Sequence, residues 1–124
     1  MYSIVFRHDL NLVDIKWTGL FDQPSVDAYA DELIRRFREE GFRTGYRLRM
    51  DMSGTSVQPV DAAQAINRRL GAFHRASRIA IVATSAITRL QVRRFMTQDY
   101  LRIFDCADAA LDWLVAADAR TQAA

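Results

Sequence analysis

Two histidines, one cysteine and fifteen acidic residues are the groups in this 124-residue chain that could move protons, attack carbonyls or hold metal ions. His8 and His74 lie far apart, and neither has a nucleophile or carboxylate at a recognisable motif spacing. Both read as solvent or boundary residues rather than as general bases. Cys106 falls just inside the start of the last helical pattern, where a helix dipole lowers a thiol pKa. Its simpler reading is a small buried residue beneath that helix start. No Cys/His cluster is spaced for zinc, no glycine-rich loop cradles a phosphate, and no nucleophile elbow is present. The expectation is a protein that is not an enzyme, with no cofactor and no metal.

Hydroxyls offer the better candidate site. Ser53, Gly54, Thr55 and Ser56 follow one strand pattern, Thr84 and Ser85 follow another, and Arg89 lies one helical turn beyond. In an open parallel sheet, ligands favour the carboxyl ends of the strands, so these residues and Asp61 could hold an anion or a polar headgroup. Ser and Thr also cap helices in the ordinary way, which is the plainer use of the same residues.

The elements that must place these groups are legible from periodicity. Tyr2, Ile4 and Phe6 alternate with Ser3, Val5 and Arg7, and after a turn at His8–Asn11 a second strand runs to Gly19. Asp22 and Pro24 open a helix whose inner face is Val26, Ala30, Leu33 and Phe37, and Gly41 closes it. Tyr46, Leu48 and Met50 mark a third strand leaving through Asp51-Met52-Ser53-Gly54. A loop and a second helix from Pro59 to Phe73 follow. Ile79–Ala83 is an uninterrupted apolar run, as a strand buried on both faces requires. A third helix is expected from Ala86 to Thr97, a fifth strand from Tyr100 to Phe104, and a last helix begins at Asp105–Asp108. The order β-β-α-β-α-β-α-β-α predicts an α/β domain over residues 1–118. Its sheet is five-stranded, mixed and mostly parallel, with four helices, and residues 119–124 form a frayed tail.

Composition narrows the class further. Half the residues are hydrophobic and 26% are charged, which excludes a disordered or collagenous chain. No apolar run approaches the ~20 residues of a membrane span, and the opening residues do not read as a secretory leader. With a single cysteine, the expected location is the cytoplasm. Arginine supplies all but one of the 17 basic residues. Acidic residues are mixed among them, as where Asp31, Glu32, Glu39 and Glu40 surround Arg35, Arg36 and Arg38. That is the pattern of a salt-bridged helix face, not of a nucleic-acid stripe.

Several segments then resemble one family in its order. Val13-Asp14-Ile15-Lys16-Trp17-Thr18-Gly19-Leu20-Phe21-Asp22 is similar to the opening of STAS domains, the SpoIIAA-like fold of anti-sigma factor antagonists. Leu48-Arg49-Met50-Asp51-Met52-Ser53-Gly54 resembles their third strand and its exit. Arg78–Val82, Leu101–Asp105 and Ala109–Leu114 are similar to stand-alone bacterial SpoIIAA-like proteins grouped with CRAL-TRIO lipid carriers. The resemblance implies a regulatory module acting through protein contacts. Its alternative implication is a carrier or sensor of a small apolar or lipid-like ligand. The family's phosphoserine position falls on Asp61, so the phosphorylation switch does not carry over.

The third helix has more apolar residues than one buried stripe needs. Ile87 and Leu90 form one group, while Val92, Phe95 and Met96 form another, with Arg89, Arg93 and Arg94 around them. One group should pack on the sheet and the other should reach the surface as an interface, for a protein partner or a second copy in a homodimer. A closed cavity for a long acyl chain is not expected, because Phe37, Phe73, Phe95 and Trp113 already fill the core. A pocket at or above ~300 Å³ lined by these aromatics would favour the carrier.

Overall fold

The computed structural model describes residues 2–19, 22–55, 68–70 and 72–123. Strands β1 (Tyr2–Arg7) and β2 (Leu12–Gly19) form the expected hairpin, with Tyr2 opposite Trp17 and Arg7 opposite Leu12. The connection is one 3-10 turn, His8–Leu10, closed by Asn11 at φ 49°, a left-handed conformation that Asn tolerates. Helix α1 (Gln23–Glu39) leads to β3 (Arg47–Thr55), and residues 68–70 are helical (α2). Then come β4 (Arg78–Val82), α3 (Ala86–Phe95), β5 (Leu101–Phe104) and α4 (Ala107–Ala123).

The five strands lie side by side in sequence order, β1 antiparallel to β2 and the others parallel. Right-handed crossovers that always advance in one direction put their helices on one face. Accordingly α1, the α2 segment and α3 share the larger core, and α4, which follows the last strand, packs on the opposite face. This is the predicted α/β architecture of a mixed five-stranded sheet and four helices.

The ends of α1 show how local sequence sets the layer. Asp22 Oδ1 accepts from the Ser25 N–H at 3.0 Å, and Pro24 occupies the first turn. At the other end Gly41 takes φ +73°, the Gly41 N–H donates to Arg38 O and the Phe42 N–H donates to Phe37 O. This is a Schellman closure, and the Phe37 and Phe42 rings meet across it at 6.0 Å. Val26, Tyr29, Ala30, Leu33 and Phe37 are thereby turned onto the sheet, none more than 5% exposed. The outer face carries the Arg35–Glu39 and Arg36–Glu32 ion pairs at i, i+4 spacing, as its charge pattern predicts.

Several boundaries shift by one or more residues from expectation. β3 runs through the expected exit at Ser53-Gly54 and on to Thr55, because it continues pairing with β2 past an irregularity between Lys16 and Thr18. Gly54 sits at that irregularity, where a Cβ would lie 3.2 Å from Thr18 Cγ2. Helix α3 stops at Phe95, two residues short of the predicted end, with Met96 extended at φ −125°. Most of the predicted second helix lies outside the described residues.

Candidate functional site

The polar residues at the strand ends are engaged with neighbours close in sequence. Ser53 donates through both its N–H (2.9 Å) and its hydroxyl (2.6 Å) to Asp51 Oδ1. Ser85 is the N-cap of α3, its Oγ facing the Thr88 N–H at 3.5 Å, and Thr88 is buried. Arg89 folds back so that its Nε donates to Ala83 O at 2.8 Å. Thr84 is exposed beside them, while Gly54 answers to the packing of β2 against β3. Thr55 ends β3; Ser56 and Asp61 lie outside the described residues.

Helix α3 divides its apolar residues between two environments. Val92 is 5% exposed and Met96 packs against the larger core. Ile87 and Leu90, one turn apart, are 52% and 64% exposed. Phe95 ends the helix, its side chain outside the described set. Arg93 and Arg94 are exposed in the same last turn, and the first turn carries no acidic residue. The helix therefore presents an exposed apolar pair with two exposed arginines in its last turn.

A partly open cavity of about 320 Å³ lies at the other end of the sheet, under the N-terminal halves of β3 and β4. Leu33, Met50, Ala76 and Ile79 are buried and form its floor. Tyr29 and Tyr46 enter from α1 and from the residue before β3. The exposed His74, Arg75 and Gln98 mark its mouth with Tyr100. Tyr46 donates to His74 O at 3.0 Å, and the His74 ring stacks on Phe37 at 5.0 Å. Arg75 lies over the Tyr100 ring at 4.4 Å and 4.0 Å from Asp99. Tyr29 is 1% exposed and wedged against Tyr2 and Trp17, yet its hydroxyl makes no hydrogen bond among the described residues. Burial pushes both tyrosines well above the usual phenol range, so their hydroxyls remain protonated donors.

Sequence reasoning did not find this cavity. Its size is at the start of the usual ligand range, and of the aromatics expected to line such a pocket, Phe73 does so. His74 was separable from a plain surface histidine only by its place between Phe73 and Arg75, at the end of an amphipathic pattern. His8 is exposed, with Nε2 2.8 Å from Glu40. Cys106 corrects its expectation: it is exposed, not buried, because it precedes α4 as the residue whose carbonyl accepts from the Ala110 N–H. Among the described residues no three His, Cys, Asp or Glu side chains gather to hold a metal ion. No described helix is long and apolar enough to cross a membrane.

No family model matches the chain, and no curated protein matches it. Solved structures do. An uncharacterised DUF3478-family protein with a SpoIIAA-like fold, from Shewanella loihica PV-4, superposes with a TM-score of 0.68 at 18% identity. The alignment covers 91% of this chain and 93% of that one. An anti-sigma factor antagonist from Mycobacterium paratuberculosis gives 0.64 at 11% identity, over 92% and 94% of the two chains. With more than nine-tenths of both chains superposed in each case, the chain has a SpoIIAA-like, STAS-type fold.

Proposed function

We propose that the chain is a non-enzymatic regulatory module that binds another protein through the outer face of α3, without a phosphoserine switch. The observation that carries this reading is the exposed pair Ile87 and Leu90 beside Arg93 and Arg94. Apolar residues framed by arginine are the ordinary make-up of an interface centre and rim. A partner presenting apolar side chains among carboxylates complements it in both shape and charge. A second copy is the other occupant that the same face could take, and the oligomeric state separates the two. The strand-end hydroxyls and Arg89 support the non-enzymatic part, since their hydrogen bonds go to their own backbone and to Asp51. The fold shared with an anti-sigma factor antagonist is in keeping with a regulatory role.

Sedimentation of the purified chain at micromolar concentration should give a monomer. A dimer lost in Leu90→Asp would assign the face to a second copy instead. Intact mass of the protein from its own cells should show no stoichiometric phosphate, and high occupancy at Ser53 or Ser56 would restore the switch.

The cavity favours a second reading, in which the chain carries or senses a small apolar ligand.

A further inference from the structure

The cavity has a chemistry of its own, and the inference from it rests on the ligand-binding reading. Its floor is aliphatic and its walls are aromatic, with the Met50 and Met96 thioethers among them. Tyrosine edges and thioether sulfurs are favourable neighbours for an aromatic ring. The volume, about 320 Å³, suits a molecule with one ring better than a long chain.

Polar groups stand at both ends. At the mouth, Arg75 is held over the Tyr100 ring, with the well-exposed Asp99 4.0 Å away as its ion-pair neighbour among the described residues. Such an exposed pair gives up little when a carboxylate competes for the guanidinium. In the depth, Tyr29 is 1% exposed and its hydroxyl has no partner among the described residues. A hydroxyl with no protein acceptor is free to donate to an occupant that places an oxygen beside it. Tyr46 is already committed to His74 O, so at the inner end the Tyr29 hydroxyl can read the occupant, while Gln98 and Tyr100 stand at the mouth.

We propose that this cavity binds a small aromatic carboxylic acid with a hydroxyl or carbonyl oxygen at its far end. The carboxylate lies at Arg75, the ring lies between the floor and the tyrosine walls, and the distal oxygen accepts from Tyr29.

Titration calorimetry with 4-hydroxycinnamate, cinnamate and cinnamyl alcohol tests this on the full chain and two variants. 4-Hydroxycinnamate should bind tightest. Tyr29→Phe should weaken it about three- to tenfold, the worth of one hydrogen bond, and leave cinnamate unchanged. Arg75→Gln should weaken both acids and leave the alcohol unchanged. Because the Tyr29 hydroxyl makes no hydrogen bond among the described residues, Tyr29→Phe should fold with undiminished thermal stability. Equal losses for 4-hydroxycinnamate and cinnamate in Tyr29→Phe would overturn the assignment of the distal oxygen. Binding of the alcohol as tightly as the acids would overturn the acid while sparing an apolar carrier. No binding of any probe at millimolar concentration would overturn both.

Discussion

The two faces of the sheet are held by different physics. On the α1–α3 face, side chains do the work: Val13, Ile15 and Trp17 are fully buried, and aromatic rings from β1, β2, α1, the Phe42–Tyr46 segment and Phe73 interlock at 4.8–6.0 Å. On the α4 face the buried residues are few and small, namely Leu12, Ala80, Val82, Ala110 and Leu114. Arginines make up the difference. Arg47, 8% exposed, donates from Nε to Leu114 O at 3.1 Å and from Nη1 to Leu10 O. Arg49 donates to Ala107 O at 3.1 Å and forms a two-pronged pair with Asp14 at 3.0 and 2.6 Å. One face is thus packed and the other is tethered. The packed face also carries the cavity and the exposed pair on α3, so both proposed binding sites belong to the layer with rigid support.

That contrast has measurable consequences. Trp17→Ala, on the packed face, should cost about 3–5 kcal/mol in urea unfolding, a large part of a small domain's stability. Arg47→Met should cost about 2–4 kcal/mol, because it leaves two carbonyls without their donor. Its signature is regional: amide exchange should quicken in α4 and not in α1. If α1 loosens equally, the tether is not local and the contrast fails. Arg49→Lys keeps the charge but cannot reproduce the planar fork that meets Asp14, and should cost about 1 kcal/mol by the same measurement.

The smallest effect concerns Asp22. Its hydrogen bond from Ser25, foremost, holds its carboxyl below the ordinary carboxylate range. A depressed folded pKa contributes stability that is present above the unfolded value and lost as pH falls through the folded one. The melting temperature should therefore dip slightly as pH drops below about 4, and Asp22→Ala should remove that part of the dip.

Much of the packed face was legible beforehand. Period-two alternation placed Tyr2, Ile4 and Phe6 inward, helical spacing placed Val26 to Phe37, and Ile79–Val82 is buried on both sides as its unbroken run implies. These are properties of single elements, written in local order. The tethers were not legible. Arg47 and Arg49 alternate with Leu48 and Met50 and look like an exposed strand face, yet β3 is central and α4 closes over it from far along the chain. The cavity escaped for the same reason. Tyr29, Tyr46, His74 and Tyr100 come from four separate segments, and periodicity assigns each to an element without showing that they meet. The strand-end site made the opposite error. Ser53, Ser85 and Arg89 have the right types in the right places, and their hydrogen bonds turned out to be local.

The claim that the outer face of α3 is where this module meets its partner is tested most directly by site-specific photo-crosslinking in the cells that make it. A photoreactive residue would replace Leu90 or, as a control, Val5, which is 50% exposed on the edge strand. Position 90 should give one discrete adduct whose linked peptide carries apolar residues among Asp and Glu, and position 5 should give none. No adduct at position 90, or the same adducts from both positions, would contradict the account.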